Sequence, residues 1–278
     1  MTVRAAAAVV LAGGRSTRMG TPKAMLEWHG STLARRAVGI AARAVGGPVV
    51  LVRAQGQKLP HLPGDVEIAE DAHDGGGPLQ GLAAGLRAVG DRAEIVFVCG
   101  VDAPLLHPAV IRRVIALLDA EADVALPRAH GFAQPLCAAY RTRASTTLDE
   151  LLAEDPQPGS RRLLSRLHVV ELSEAQLLAD PAVAALDPAL DSLLNVNERK
   201  EYAAARSRPA PEVVVAVEGD VAERAVHAAT LEAAIDAAGL APATDLRASV
   251  NGSPAGDPQE PLVQGDSVTL WRDASTIV

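Results

Sequence analysis

The chain has 278 residues, of which 49% are hydrophobic and 22% charged, and this composition is typical of a folded globular protein. Its formal net charge of −8 argues against a nucleic-acid or anionic-membrane partner, because both require a basic face. Two cysteines without metal-ligand spacing, and no apolar run of the roughly 18 residues that a membrane helix needs, predict a cytoplasmic protein with buried thiols.

Apolar strands alternate with helical segments along the longer N-terminal part of the chain. Uniformly apolar strands separated by helices are typical of an α/β fold with a mostly parallel sheet covered on both faces. Strands are predicted over residues 5–12, 48–52, 66–68, 94–99, 123–126 and 135–140, and helices over 31–45, 78–89, 108–120, 144–154, 160–166 and 173–179.

The composition changes at residues 203–211, where the sequence AAARSRPAP predicts a linker. We therefore predict a first domain over residues 1–205, a linker over 206–211 and a second domain over 212–278. The second domain is predicted to be a small α+β fold, with strands over 213–217, 247–250 and 267–271 and a helix over 230–238.

The sequence LAGGRSTRMGTPK at residues 11–23 runs from the end of the first strand into a glycine-rich loop. Glycines let backbone N–H groups approach an anion closely, and Arg15, Arg18 and Lys23 add positive charge. The segment is neither a P-loop nor a dinucleotide fingerprint. It predicts a polyphosphate cradle at the carboxyl end of a central strand, where open α/β sheets bind ligands.

Carboxylates and amides follow other predicted strands. Asp102 comes just after the strand over 94–99 and suits a hard cation such as Mg²⁺, although it also suits a cap of the next helix. Asp71 or Asp74, before the helix that starts at Pro78, suits hydrogen bonds to a nucleobase or ribose. Asn195 and Asn197 alternate on an extended segment, so that both point the same way, and suit a polar ligand or a metal-phosphate group. A helix cap also explains Asn197.

Together these segments resemble the molybdenum cofactor guanylyltransferases, within the nucleotidyltransferases that carry the motif LAGGxSxRMGxxK. The resemblance covers roughly residues 5–205 and implies a Rossmann-like fold. The matching positions are Leu11 to Lys23, Glu70-Asp71 with Gly77-Pro78-Leu79 and Gly81, Val101-Asp102-Ala103-Pro104, Gln134-Pro135, Gly159 to Arg162, and Asn195-Val196-Asn197.

The resemblance implies transfer of GMP from GTP to the phosphate of molybdopterin, as the molybdenum cofactor, giving the guanine dinucleotide and pyrophosphate with Mg²⁺ as cofactor. Arg18, Lys23 and Asp102 would be catalytic, and Asp102 with Asn197 would hold the metal. The nucleotide would contact Leu11, Ala12, Gly13, Gly14, Arg15, Lys23, Asp71, Gly77, Pro78 and Asp102, and the acceptor would contact Gln134, Pro135 and Asn195.

The choice of base depends on Gly13, because relatives that use CTP tend to have LAAG where this chain has LAGG. We expect GTP, with CTP as the alternative. Family members often place an asparagine after the second strand, and here Arg53 or Gln55 is expected to supply that contact, if it is not lost. Transfer to another small phosphorylated acceptor, and a GTP-binding scaffold without turnover, are the competing interpretations. Cofactor-pathway proteins or molybdoenzyme chaperones are possible partners.

Residues 248–252 and 262–270 resemble the small β-grasp sulfur carriers of molybdopterin and thiamin synthesis. Those carriers end in Gly-Gly, whereas this chain ends in Ser275-Thr-Ile-Val278. The resemblance therefore implies a β-grasp-like second domain with a docking or dimerisation role, and not a carrier.

Overall fold

The computed structural model describes residues 6–13, 21–71, 76–219, 222–240 and 246–272. The chain divides into two compact units, one formed by Met1–Leu26 and Leu33–Glu198 and the other by Glu27–Thr32 and Arg199–Val278. Within the described ranges, every helix is too short or too polar to cross a bilayer.

The secondary structure follows the predicted alternation. The strands are β1 (Ala7–Leu11), β2 (Glu27–Trp28), β3 (Ser31–Thr32), β4 (Val49–Ala54), β5 (Val66–Asp71), β6 (Ile95–Gly100), β7 (Val124–Ala129), β8 (Phe132–Ala133), β9 (Cys137–Arg141), β10 (Val169–Leu172), β11 (Glu212–Val217), β12 (Arg224–His227), β13 (Leu246–Val250), β14 (Ser253–Ala255) and β15 (Ser267–Arg272). The α-helices are α1 (Leu33–Ala42), α2 (Pro78–Val89), α3 (Pro108–Ala116), α4 (Ala144–Glu154), α5 (Ser160–Leu164), α6 (Glu174–Leu178), α7 (Pro181–Leu186), α8 (Arg199–Arg206) and α9 (Leu231–Ala237). Short 3₁₀ helices lie at Lys23–Met25, Gly90–Arg92 and Asp191–Leu193.

The first unit is built on one large sheet with the strand order β10-β7-β9-β6-β1-β4-β5, and β8 pairs with β7. Strand β1 is parallel to both of its neighbours, β4 and β6. Strand β9 is antiparallel to β6 and β7. The other pairs along this strand order are parallel, so the sheet is mostly parallel, as predicted. The carboxyl ends of β1, β4, β5 and β6 therefore share one edge, and the loop that leads into β9 reaches the same edge.

Buried side chains of β1 and β4 place this sheet in the hydrophobic core of the first unit. Val9, Val50 and Val52 belong to an apolar core shared with α2 and α4. Helices α1 and α3 also pack against the sheet, but their side chains are not part of that core. Helix α2 lies so close to β1 that a Cβ added at Gly85 would be 2.4 Å from Val9 Cγ1. The glycine thus sets the depth at which the helix packs.

The helix predicted over 31–45 begins later, at Leu33. Ser31–Thr32 instead form β3, which pairs with β2 through a turn at His29 and Gly30. Both turn residues have positive φ, 46° and 93°, and this conformation matches the twist of a tight hairpin. The local turn therefore overrides the helical spacing.

The second unit contains a sheet with the order β12-β11-β15-β13-β14. Its central strands β11 and β15 are parallel, and the other pairs are antiparallel. Helix α9, capped by the Thr230 hydroxyl, packs Leu231 and Ala234 into a core with Val213 and Leu270. The unit thus contains a hairpin, a helix and a last strand paired in parallel with the first, and its relation to the β-grasp carriers stays a prediction.

The hairpin Glu27–Thr32 and helix α8 also belong to this second unit, whereas the sequence predicts both within the first domain. Arg206 binds both carboxylate oxygens of Glu27, at 2.8 and 3.1 Å, and Tyr202 donates to the Glu27 carbonyl. The buried Trp28 ring lies 6.3 Å from the Tyr202 ring. Burial acts to raise the pKa of Glu27, but hydrogen bonds from Arg206 and the Gly30 N–H outweigh it and lower that pKa. The boundary of the second unit lies at Glu198, and helix α8 ends at Arg206, the first residue of the expected linker.

Substitution Gly85→Ala tests the close packing of α2 on β1. The new methyl group would overlap Val9 and lie 3.2 Å from Val52 Cγ2, so we expect a cost of about 1–3 kcal/mol from overpacking. The better helix propensity of alanine offsets about 1 kcal/mol. Urea unfolding should therefore show a lower free energy of unfolding. Gly64→Ala, with open space around the added Cβ, is the control, and equal stability of the two variants would contradict this packing.

The two cysteines lie opposite each other, Cys99 on β6 and Cys137 on β9. Both are free and buried, as predicted. Burial, with the charge of Asp102, raises the pKa of Cys99 to about 12, and burial also raises the pKa of Cys137. We expect neither thiol to react with a disulfide reagent at about pH 8, close to the ordinary thiol pKa, until the chain is unfolded. Fast labelling of the folded chain would contradict this burial.

Candidate active site

The candidate site lies along the shared carboxyl edge of the first unit's sheet. At this edge Leu11 is in register with Val52 of β4 and Gly100 of β6. At the end of β4, Ala54 is in register with Asp71, the last residue of β5. The edge therefore runs from Asp71, past the end of β1, to the Asp102 loop and the segment before β9.

Lys23 joins two distant segments at the centre of this edge. Its Nζ donates to Asp102 Oδ2 at 2.9 Å and to Asn197 Oδ1 at 3.0 Å. The Lys23 and Asp102 side chains are only 17% and 27% exposed, so water screens their attraction incompletely. Three of the predicted residues thus form one cluster with a cation held between a carboxylate and an amide oxygen.

Gly100 permits the position of the Asp102 carboxylate. A Cβ added at Gly100 would be 2.3 Å from Asp102 Oδ1, so the carboxylate folds back over the end of β6. The Val101 N–H donates to the Leu11 carbonyl at 3.1 Å and fixes the loop against β1. Every side chain larger than hydrogen at position 100 would move this carboxylate.

Two further hydrogen bonds hold the segments of the cluster together. The guanidinium of the buried Arg36, on α1, donates to the Pro104 carbonyl at 2.6 Å and anchors the loop after Asp102. The Val196 N–H donates to the Asp102 carbonyl at 2.8 Å. The asparagine segment is therefore tied directly to the Asp102 loop.

Asn195 has a different partner from Asn197. Its Nδ2 donates to Gln134 Oε1 at 3.1 Å, and Gln134 is almost buried in the segment before β9. The next residue, Pro135, is held by the hydroxyl of the buried Tyr140, which donates to its carbonyl at 2.8 Å. Burial raises the pKa of that hydroxyl. Gln134, Pro135 and Asn195 thus form a second cluster, on the β9 side of the first.

On the other side, the ends of β1 and β4 are joined by Gln57. Its Nε2 donates to the Ala12 carbonyl at 2.9 Å, and its Oε1 accepts from the Ala54 N–H at 3.0 Å. From the sequence, Arg53 or Gln55 is expected to contact the nucleotide here. In the structure Arg53 is paired with Glu70 at 2.6 Å, and Gln55 is exposed. The role of Gln57, two residues farther along, could not be predicted from the sequence, because it depends on how β1 and β4 align.

The remaining predicted residues occupy the β5 side of the edge. Asp71 is partly exposed at the end of β5, and Pro78 begins α2 after Gly77. Gly77 has φ of +84°, a conformation that favours glycine. Gly14, Arg15, Arg18 and Asp74 lie outside the described residues.

The donor atoms of the central cluster suit a hard divalent cation. Carboxylate and amide oxygens are ligands that Mg²⁺ accepts, and Asp102 and Asn197 already surround a positive charge. In the described part of the chain, no three His, Cys, Asp or Glu side chains gather at one point. A metal held by Asp102 and Asn197 would therefore take further ligands from a phosphorylated substrate or water.

Several known proteins are similar in sequence to this chain. The chain is 36% identical over 179 residues to the probable molybdenum cofactor guanylyltransferase of Mycobacterium avium (strain 104), covering 63% of this chain and 85% of that protein. It is 30% identical over 202 residues to the protein of the same name from Bacillus mycoides (strain KBAB4), covering 72% of this chain and 95% of that protein.

The fold is shared with solved structures. Molybdopterin-guanine dinucleotide biosynthesis protein A from Archaeoglobus fulgidus superposes with a TM-score of 0.55 at 22% identity, over 72% of this chain and 96% of that chain. Residues 8–175 match the model of the MobA-like NTP transferase domain. Because this match covers more than half of the chain, the chain belongs to the MobA-like NTP transferase family.

Proposed function

We propose that the chain transfers GMP from GTP to the terminal phosphate of molybdopterin, carried as the molybdenum cofactor, and releases pyrophosphate. The observation that carries this proposal is the cluster of Lys23, Asp102 and Asn197 at the end of β1, in a chain of this family. The names of its relatives support the choice of GTP and of the acceptor.

In this reaction an acceptor phosphate oxygen attacks the α-phosphorus of GTP. The bond from that phosphorus to the bridging oxygen breaks, and pyrophosphate leaves with the bonding electrons. The protein contributes position and positive charge to such a transfer, and needs no covalent intermediate. Mg²⁺, when held by Asp102 and Asn197, would neutralise charge on the phosphate oxygens.

Lys23 would add positive charge beside these oxygens. Asp102 and Asn197 hold its ammonium group at the end of β1, and when Mg²⁺ takes those two side chains the ammonium group would turn to the phosphate oxygens. Arg18 is proposed to share this task on the basis of the motif. The backbone of Leu11 to Gly14, with Arg15, would contact the nucleotide together with Asp71, Gly77 and Pro78. Gln134, Pro135 and Asn195 would receive the acceptor on the β9 side. With this division, the α-phosphate would lie between the two clusters.

The Bacillus mycoides relative is covered over 95% of its length by 72% of this chain, so little of that protein remains to match the other part of this chain. A docking or dimerisation role for the second unit, towards cofactor-pathway proteins or molybdoenzyme chaperones, stays a prediction. We place the reaction in the cytoplasm.

The test of this function is transfer by the purified full chain with Mg²⁺, molybdopterin and either GTP or CTP. We expect pyrophosphate release and formation of the guanine dinucleotide with GTP, and little product with CTP. Preference for CTP would show a cytidylyltransferase. Product with GTP but only from a different phosphorylated acceptor would correct the acceptor. Binding of GTP without pyrophosphate release from any acceptor would indicate a scaffold.

Variants separate the roles of the two clusters. Lys23→Ala and Asp102→Asn should each lower kcat by roughly 100-fold or more, because charge stabilisation at the reacting phosphate is lost. Asn195→Ala should raise KM for the acceptor while the affinity for GTP stays unchanged. Asp149→Asn, which removes a carboxylate from an exposed pair with Arg87, is the control. Near-normal turnover in both Lys23→Ala and Asp102→Asn would refute the site assignment.

A further inference from the structure

The side chain of Gln57 occupies an unusual place between two strands. In the parallel register of β1 and β4, the Ala12 N–H donates to the Val52 carbonyl at 2.8 Å. The next bond of such a ladder would run from the Ala54 N–H to the Ala12 carbonyl. Those two groups instead bind the Oε1 and Nε2 atoms of Gln57. The carboxamide is thus inserted as a spacer into the last rung of the ladder.

A carboxamide is well suited to this position. It presents an acceptor and a donor side by side, and so it satisfies both backbone groups at once. A carboxylate would accept from Ala54 but would face the Ala12 carbonyl with a second acceptor. The Gln57 N–H also donates to the Ala54 carbonyl at 3.0 Å, within a turn that contains Gly56 at φ +68°. The turn therefore fixes the spacer from both ends.

The spacer lies next to Gly13, the residue that distinguishes LAGG from LAAG. A Cβ added at Gly13 would be 3.3 Å from the Ala54 N atom, a tight contact with backbone. That nitrogen cannot move freely, because its N–H is bound by Gln57. The need for glycine at position 13 is therefore linked to the amide at position 57.

Gln57 is also connected to the β5 side of the edge. Arg53 donates from Nη1 to the Gln57 carbonyl at 3.2 Å, and its Nη2 binds Glu70 at 2.6 Å. Glu70 directly precedes Asp71, a residue proposed to contact the nucleotide. The spacer thus holds the ends of β1, β4 and β5 in one arrangement.

We propose that Gln57 is a positioning residue for nucleotide selection: its carboxamide sets the gap between β1 and β4 at Gly13 and so favours GTP over CTP. This inference rests on the proposed function, since it assigns Gly13 to the nucleotide site. It adds a residue outside the motif that acts through the backbone and has no direct contact with substrate.

The test compares Gln57→Ala and Gln57→Glu with Gln157→Ala, a change of the same residue type at an exposed position of the same unit. Loss of the amide leaves two backbone groups without their partner, so we expect roughly tenfold weaker GTP binding in calorimetry. The ratio of GTP to CTP affinity should fall, and KM for the acceptor should stay unchanged. Gln157→Ala should bind both nucleotides like the wild-type chain.

A double-mutant cycle with Gly13→Ala tests the link between the two positions. In the wild-type background the added methyl group meets a fixed Ala54, and in the Gln57→Ala background Ala54 has room to shift. We therefore expect the loss of GTP affinity from Gly13→Ala to be several-fold smaller when Gln57 is absent. Strictly additive losses, or Gln57 variants that bind GTP and CTP like Gln157→Ala, would overturn the proposal.

Amide hydrogen exchange gives a readout that needs no substrate. The Ala54 N–H should exchange faster in Gln57→Ala than in the wild-type chain or in Gln157→Ala, at similar thermal stability. Equal exchange in all three would overturn the spacer itself. Failure of the wild-type chain to bind either nucleotide would instead refute the proposed function, and the role of Gln57 in selection with it, even if the exchange result held.

Discussion

The candidate site depends on the position of β1 between two parallel neighbours. Because β4 and β6 run in the same direction as β1, the ends of all three strands meet at one edge. This alignment brings Asp102 within reach of Lys23, and it brings the turn at Gln57 against Ala12. Segments that are 79 and 174 residues from Lys23 in the sequence thereby become its hydrogen-bond partners. The chemistry of the edge is a consequence of sheet topology.

The whole protein and the proposed substrate carry charge of the same sign. The chain carries a formal net charge of −8, and the proposed substrate is a triphosphate, so long-range electrostatics do not favour their encounter. Binding must then come from local cations and backbone N–H groups in a partly shielded place. Lys23 meets this condition, since Asp102 and Asn197 fix its ammonium group and its side chain is only 17% exposed. The same two oxygen donors suit a divalent cation, which would oppose the phosphate charge at that point.

Patterns that act within a short stretch of sequence predicted most of the fold. Uniform burial explains β1 and β6, and Pro78 with its helical spacing gave the bounds of α2 correctly. The rule that ligands lie beyond the carboxyl ends of parallel strands was enough to select Asp102. A helix after Asn197 was considered only as the reason for a cap, and its place in the second unit was not predicted, because that place depends on Tyr202 and Arg206 meeting a distant hairpin. Gln57 was missed for a similar reason, since only the register of two strands shows what its amide does.

The asparagine pair shows how the structure refines a motif. Alternation along an extended segment predicts that Asn195 and Asn197 point the same way, yet they engage different clusters, one with Gln134 and the other with Lys23. Val196 between them is buried, and its N–H is bound to the Asp102 carbonyl, so one peptide segment fixes both asparagines relative to the central carboxylate. In-line transfer requires the acceptor and the activated phosphate to be held at a constant separation. A short segment anchored at its middle to Asp102 would meet that requirement for the proposed acceptor and metal sites, because it fixes Asn195 and Asn197 relative to each other.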